Sequence, residues 1–373
     1  MTELDEVDLA RHLDVPYLLR LVPAFFVDCY GRRPVAAWRT STACCLVEAD
    51  DGALAVPLPW GGIAAAAPGP PSTLELRCDM RPADPLVFGL GADASPEQPP
   101  PEWARAPLAA ARRLAGVAGS DRGLTLLFHT DLPDGLAVSP SAAAAMITAR
   151  ALVDLHGLPV EPASLPWLLG RTRRERAELA AAASGRDAHL VATGPDGRTH
   201  QVPCDLRSAG LRLLLVELGG AAAREAAAGD DRADDDRAGD DRADDQVEGP
   251  GADGAGRPAG PLGSIAAVVD ALRAGGPAAL GPLLTAACER TGTASRSSAP
   301  TRAALAALNA AGALGAGVIG HRDRLGVVAL VRVADVPTMR RGVRDAVGAE
   351  RPVRFLTATP TRIVEPAAFA FRR

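Results

Sequence analysis

The chain has 373 residues, 47% of them apolar, which is enough for two domains with hydrophobic cores. All 40 basic residues are arginine, and the absence of lysine excludes a lysine-bearing phosphate loop and any Schiff-base or pyridoxal-phosphate enzyme, because each needs a primary amine. The formal net charge is −5, but residues 230–248 alone carry −7 (nine Asp and one Glu against three Arg), so the rest of the chain sums to about +2. No basic patch with interleaved aromatic residues occurs, which argues against nucleic-acid binding.

The start of the chain and its cysteines indicate a cytoplasmic protein. Residues 1–6 are acidic and there is no run of about 18 apolar residues, so we expect neither a secretory signal nor a membrane partner. The six cysteines have no Cys-x-x-Cys spacing. They are expected to be reduced thiols, and we predict no metal site.

Helices and strands are predicted to alternate in the first part of the chain. Apolar residues at helical spacing predict a helix over residues 8–31. Residues 81–102 are rich in proline and acids and are predicted to form a surface insertion, followed by a helix over 103–117. The strands predicted before that insertion are 43–47, 53–58 and 73–78.

The stretch from Leu124 to Leu155 predicts an anion site. An apolar strand at 124–130 leads into a loop of small residues at 133–141, and an alanine-rich helix follows over 141–155. The N-terminus of a helix presents unpaired N–H groups, and the helix dipole favours a negative charge there. This arrangement therefore predicts a site for a nucleotide phosphate.

The second half of the chain is predicted to contain helices, strands and one low-complexity segment. Residues 219–262 include Gly-Asp-Asp-Arg-Ala-Asp-Asp at 229 and again at 239, cannot bury apolar surface, and are predicted to be disordered. Residues 229–248 are either a spacer or a segment that binds a protein partner. The loop predicted in this half is 312–323. The predicted helices are 165–183, 265–274, 278–289, 301–311 and 338–347, and the predicted strands are 189–193, 199–203, 211–218, 325–333 and 353–357.

Several segments resemble a bacterial galactokinase, in the same order along the chain. Leu132-Pro-Asp-Gly-Leu-Ala-Val-Ser-Pro-Ser-Ala-Ala143 resembles the phosphate loop of that family, Gly210–Gly219 resembles one of its strands, and Gly312–Ala316 resembles the opening of its third motif. The family belongs to the galactose/homoserine/mevalonate/phosphomevalonate kinase superfamily. The resemblance implies a two-lobed α+β fold, with a ribosomal-S5-like lobe at 1–160 and a ferredoxin-like lobe at 161–373 that carries the acidic insertion at 219–262. It also implies a sugar and MgATP as ligands.

The differences from the family fall on positions that carry its chemistry. Ala43 and Cys45 stand where the resemblance expects the catalytic arginine and an asparagine, and the segment with the catalytic aspartate has no counterpart. In the phosphate loop, Ala137 replaces a glycine and Pro140 replaces a serine. Alanine hinders the positive φ that glycine allows, and proline has no N–H to donate. We therefore predict no catalytic residue.

The remaining candidate site residues are those that still match the family. Gly135, Ser139 and Ser141 survive in the phosphate loop and are the candidates for binding a nucleotide, although either serine could also serve as a helix cap. Asp50 and Asp51 are the candidates for binding a sugar. The resulting hypothesis is a pseudokinase that acts as a ligand-binding or regulatory protein, with ATP and Mg²⁺ binding weak or lost. The alternative is a divergent active sugar kinase that uses one of these aspartates as its base.

Overall fold

The computed structural model describes residues 2–4, 17–79, 85–91, 99–118, 121–132, 141–218, 262–321, 324–348, 351–361 and 369–371. Within these ranges the chain forms two β-sheets with helices packed against them. The predicted α+β class is confirmed.

The larger sheet has nine strands within the described residues, in the order β1-β13-β2-β3-β6-β4-β5, with β7 paired to the other end of β3 and β8 beyond it. β2 and β3 form a long antiparallel pair with irregular register between Ser41 and Ala43 and between Cys45 and Val47. Such bulges bend a strand and redirect its side chains. The strands are β1 (Thr2–Leu4), β2 (Ala36–Glu48), β3 (Ala53–Gly69), β4 (Thr73–Cys78), β5 (Leu86–Gly89), β6 (Gly123–Thr130), β7 (His189–Thr193), β8 (Thr199–Pro203) and β13 (Phe369–Phe371).

The smaller sheet is antiparallel, in the order β10-β11-β9-β12. Its strands are β9 (Leu211–Leu218), β10 (Gly315–His321), β11 (Arg324–Arg332) and β12 (Val353–Ala358). The helices are α1 (Tyr17–Tyr30), α2 (Glu102–Ala118), α3 (Ser141–His156), α4 (Leu165–Leu169), α5 (Arg173–Ser184), α6 (Ile265–Gly275), α7 (Leu280–Thr291), α8 (Thr293–Arg296), α9 (Ala299–Ala310) and α10 (Val336–Val347).

Helices cover both faces of the larger sheet. Ala37 and Ile63 pack with Phe26 of α1, whereas their chain neighbours Trp38 and Ala64 belong to a cluster with α2 and α3. This difference follows from the alternation of side chains along a strand. The apolar composition of β3 is therefore explained, because both faces of that strand are buried over most of its length.

The largest apolar cluster connects the two sheets. It contains Cys44 and Val56 of the larger sheet, Leu213 of the smaller sheet, and residues of α6 and α7 such as Leu283. Strands β7, β8 and β13 follow residue 160 and belong to the larger sheet. The division of the chain at residue 160 stays a prediction.

The single helix predicted over 165–183 was wrong, because the structure has two helices there. α4 ends at Leu169, and α5 begins after Thr172, whose hydroxyl accepts the N–H of Glu175 at 3.1 Å while the Glu175 carboxylate accepts the N–H of Thr172 at 3.4 Å. This reciprocal capping box defines a new helix start. A side chain at Gly170 would lie 2.7 Å from the side chain of Arg176, so the turn is also too close for a larger residue.

The loop predicted over 312–323 was also wrong, because β10 occupies Gly315–His321. A Cβ atom at Gly315 would lie 2.0 Å from the carbonyl oxygen of Gly281 in α7. The glycines that suggested a loop therefore allow a strand to approach a helix backbone closely.

The strands predicted at 43–47 and 53–58 were too short, because β2 and β3 pair with each other from Ala36 and Ala66 to Glu48 and Ala53. Most other predicted elements agree with the structure to within a few residues, and some lie outside the described residues. The insertion predicted at 81–102 contains β5, which pairs with β4, while residues 80–84 and 92–98 are outside the described part. The described part of the helix predicted over 8–31 is Tyr17–Tyr30. Of the acidic insertion, residues 219–261 lie outside the described part, and Leu262 is buried. The short strands β1 and β13 were not predicted.

Candidate functional site

The strand and helix predicted to flank a phosphate loop are both present. β6 ends at Thr130, and α3 begins at Ser141, which is exposed to solvent. The loop between them, residues 133–140, lies outside the described residues, and with it Gly135 and Ser139. The predicted strand–loop–helix order is thus confirmed at its two ends, and the roles of Gly135, Ser139 and Ser141 stay predictions.

The positions expected to hold an arginine and an asparagine are enclosed by apolar side chains. Ala43 is 3% exposed and Cys45 is 4% exposed. Both belong to a small cluster with Ala177, Ala180 and Ala181, which lie on one face of α5. The small side chains of α5 allow this helix to pack directly on β2, so these two positions form part of the core.

A carboxylate borders this cluster on α5. Oε1 of Glu178 accepts two hydrogen bonds, one from the backbone N–H of Cys45 at 3.1 Å and one from Nε of Arg174 at 3.3 Å. Arg174 also lies 3.7 Å from the carboxylate of Glu48 on β2. Burial raises the pKa of Glu178, despite the opposing effect of Arg174 and the bond from the Cys45 N–H. Sequence analysis missed this acid, although it is a charged residue beside an otherwise apolar helix face.

The thiols beside Glu178 are poor nucleophiles. Burial raises the pKa of Cys44 to about 12, and it raises the pKa of Cys45 well above its usual range. Since the thiolate is the reactive form, neither side chain provides a nucleophile or a base near neutral pH.

Asp50 and Asp51 connect the turn after β2 to the second half of the chain. Asp50 forms an ion pair with Arg290 of α7 at 2.8 Å. Oδ1 of Asp51 accepts the N–H of Ile265, the first residue of α6, at 2.6 Å. A carboxylate at this position suits a helix N-terminus. The structure thus brings both residues together, and their role as sugar ligands stays a prediction.

A guanidinium and a carboxylate meet just before the phosphate loop. Arg39 of β2 and Asp131, which follows β6, approach to 3.8 Å, with side chains 13% and 26% exposed. Asp131 also accepts the N–H of Gly61. Burial raises the pKa of Asp131 and lowers the pKa of Arg39. Both shifts show a charged pair held with little access to water.

A histidine and a carboxylate meet on the same part of the sheet. Nδ1 of His129 is 2.7 Å from a carboxylate oxygen of Asp79. His129 lies in β6 and precedes Asp131 by two residues. Sequence analysis missed these residues as well as Arg39. The signal that could have indicated them is a set of charged residues placed in strands that are otherwise apolar.

The described residues contain neither a ready-made metal site nor a membrane-spanning helix. In that part of the chain no group of three or more His, Cys, Asp or Glu side chains is arranged to hold a metal ion. No helix in the same ranges has the length and apolar character needed to cross a membrane.

The architecture matches solved structures of small-molecule kinases. Galactokinase from Lactococcus lactis, solved in complex with galactose, superposes with a TM-score of 0.65 and 19% identity, over 92% of this chain and 99% of that one. Mevalonate kinase from Methanococcus jannaschii gives a TM-score of 0.54 and 10% identity, over 87% and 98%. Homoserine kinase from Cytophaga hutchinsonii gives 0.52 and 12%, over 89% and 96%. No protein-family model and no curated protein sequence matches this chain.

The chain therefore has the fold of the galactose/homoserine/mevalonate/phosphomevalonate kinase superfamily. Within this fold class, its architecture is similar to that of galactokinase over nearly the whole length of both chains. The predicted two-lobed, galactokinase-like fold is confirmed.

Proposed function

We propose that this chain is a galactokinase-like pseudokinase, which has kept the kinase fold, has lost transfer of a phosphoryl group to a sugar, and acts as a ligand-binding or regulatory protein. The observation that carries the proposal is the apolar cluster around Ala43 and Cys45. The resemblance expects an arginine and an asparagine at these two positions. This chain instead has an alanine and a cysteine, and both pack in the core.

The electrostatics of phosphoryl transfer support this proposal. The transferring group carries negative charge, and kinases stabilise it with fixed cationic groups and metal ions. The nearest guanidinium to Cys45 among the contacts described above is that of Arg174, and it is held by Glu178 and Glu48. The residues present do not fit a phosphoryl group bound at Ala43 and Cys45, because a phosphate there would meet methyl groups and a thiol.

The sequence of the phosphate loop supports weakened binding of ATP. Pro140 removes one N–H donor next to the start of α3, and Ala137 hinders close approach of the backbone to an anion. We propose that Gly135, Ser139 and Ser141 provide the residual nucleotide contacts. Mg²⁺ would enter with the nucleotide rather than through a protein site, so its binding would be as weak as that of ATP.

The ligand and partner of such a protein are proposed from the same residues. A sugar would contact Asp50 or Asp51, whose present bonds to Arg290 and Ile265 it would have to share. A protein partner would bind through residues 229–248, the acidic repeat. Removing residues 229–248 and measuring the loss of a bound protein tests the second proposal.

Calorimetric titration with MgATP and with galactose, together with a coupled phosphorylation assay on a panel of sugars, tests the pseudokinase. We expect no turnover above about 0.1 s⁻¹, which is low on the scale of enzymes, and any sugar or nucleotide affinity without turnover identifies the ligand. Turnover above this rate that is lost in a variant of the phosphate loop would contradict the proposal.

A divergent active kinase is the second candidate, and the Arg39–Asp131 pair favours it. The pair places a cation beside the last residues before the phosphate loop, where a kinase requires one. If the chain is active, Arg39→Ala should lower the turnover by at least about 100-fold, as expected for loss of a group that stabilises the transition state. Arg113→Ala, on the exposed face of α2, is the matched control and should leave turnover unchanged.

A further inference from the structure

An arginine surface lies on α10 and the segment that follows it. It consists of Arg340, Arg341, Arg344 and Arg351, all partly or fully exposed. The guanidinium carbons of Arg340 and Arg344 lie 5.8 Å and 5.3 Å from the ring centroid of Phe355 on β12. Cation–π contacts with Phe355 therefore hold the guanidinium groups of Arg340 and Arg344 beside β12, the edge strand of the smaller sheet.

No carboxylate in the described part of the chain forms an ion pair with an arginine of this surface, although Asp345 lies one helical turn from Arg341. Two other exposed arginines do have a carboxylate partner, Arg332 with Asp335 at 3.8 Å and Arg273 with Asp270 at 3.4 Å. In addition, Nε of Arg340 is buried from solvent and has no hydrogen-bond acceptor among the described residues. A buried donor without an acceptor is unfavourable, and several unpaired guanidinium groups together attract an anion. Both features indicate a missing anionic partner.

The chain itself provides an anionic segment next to this surface. β9 ends at Leu218, which pairs with Val353, two residues after Arg351. The residues that follow Leu218 lead to the acidic segment 230–248, which carries a net charge of −7. Eleven residues separate Leu218 from Asp230, and an extended chain over that distance spans about 40 Å. The arginine surface is therefore well within reach of the acidic segment.

We propose that the acidic segment 230–248 binds the arginine surface of its own chain. The tether gives the segment a millimolar effective concentration, which compensates for the weakness of individual exposed ion pairs. Arginine suits this contact because its planar guanidinium binds carboxylates in pairs. The interaction is screened by salt, since the Debye length falls from about 10 Å at 0.1 M to 3 Å at 1 M. A protein partner that binds residues 229–248 would have to compete with the arginine surface for them.

The absence of lysine allows a direct test by zero-length cross-linking. Arg341→Lys keeps the charge and adds one side-chain amine, so that a carbodiimide can join it only to a carboxylate in contact with it. We expect peptides linking position 341 to acids of 230–248 at 20 mM salt, with at least a five-fold lower yield at 0.5 M salt. Asp345, one helical turn away, serves as an internal control for the reactivity of the amine.

A matched variant and isotope labelling separate the outcomes. Arg113→Lys places the amine on the exposed face of α2 and should give at least ten-fold fewer links to 230–248. Equal yields from the two variants would overturn the proposal, and so would links from position 341 that reach Asp345 alone. Links between ¹⁵N-labelled and unlabelled chains in a mixture would assign the contact to a second copy and would also overturn it.

Discussion

Restoring an arginine at position 43 is predicted to destabilise the protein rather than repair it. Ala43 is 3% exposed and packs against three alanines of α5, so the Ala43→Arg side chain has no space and no route to water. Glu178 is the nearby carboxylate, and it is already bonded to Arg174 and to the N–H of Cys45. The new guanidinium would therefore be buried with at most a shared partner.

The expected loss in the free energy of unfolding is the sum of two contributions. Overfilling a packed core costs about 1–3 kcal/mol, and a buried charge without its own partner costs about 3–5 kcal/mol. Together they give a loss of about 4 kcal/mol or more in the free energy of unfolding, against a typical total of about 5–15 kcal/mol. For a chain of this size, with an unfolding entropy of about 2.1 cal/mol/K per residue, such a loss corresponds to a fall in Tm of at least about 5 °C.

Thermal unfolding followed by circular dichroism measures this effect. Ala109→Arg, on the exposed face of α2, is the control and should change Tm by less than about 2 °C. If Ala43→Arg unfolds within 2 °C of the unaltered chain, position 43 opens to solvent and the main support for the pseudokinase is removed.

Three further predictions follow from local contacts. Gly315→Ala should cost more than about 2 kcal/mol in urea unfolding, because its Cβ would lie 2.0 Å from a carbonyl oxygen of α7, whereas Gly342→Ala, in open space on α10, should gain about 0.5–1 kcal/mol. In a thiol assay at pH 8, Cys29 should react fast and the other five cysteines only after unfolding, since they are buried and the pKa of Cys44 is about 12; fast reaction of two or more native thiols would contradict this. Burial raises the folded-state pKa of Glu178, so its stabilising contribution is fully present below the unfolded-state pKa of about 4.3 and is lost as pH rises through the folded pKa. The free energy of unfolding of the unaltered chain, minus that of Glu178→Gln, should therefore fall between pH 4 and pH 7, and a flat or rising difference would refute the shift.

The regular elements were predictable because local patterns decide them. The apolar run of β6 and the alanine-rich α3 are long, periodic and buried, and both appear within one residue of the predicted bounds. The errors occurred where a tertiary contact overrides a local signal. The glycines around Gly315 predict a loop. In the structure Gly315 lies in a strand that α7 approaches closely.

The candidate site was less predictable, since it depends on pairs far apart in sequence. Ala43 was singled out from the sequence, but its enclosure by α5 depends on residues more than 130 positions later. The contact of Glu178 with Cys45 and the Arg39–Asp131 pair could not be identified from spacing, because each joins residues far apart in sequence. The available signal was a charged residue in an apolar strand. Such a residue indicates that a paired group lies nearby, but the sequence does not show which residue provides it.

Stability and chemistry make opposite demands at the two ends of β2. Around Ala43 and Cys45 the chain has small apolar residues, and replacing buried charges by apolar contacts is often neutral or stabilising. Arg39 of β2 and Asp131, which follows β6, remain a partly buried charged pair, which is a costly way to gain stability alone. A chain freed from every chemical requirement would be expected to replace this pair as it has replaced the others. The Arg39–Asp131 pair is thus the feature that stability explains least well, and activity measurements on Arg39→Ala decide whether it is a remnant or a working group.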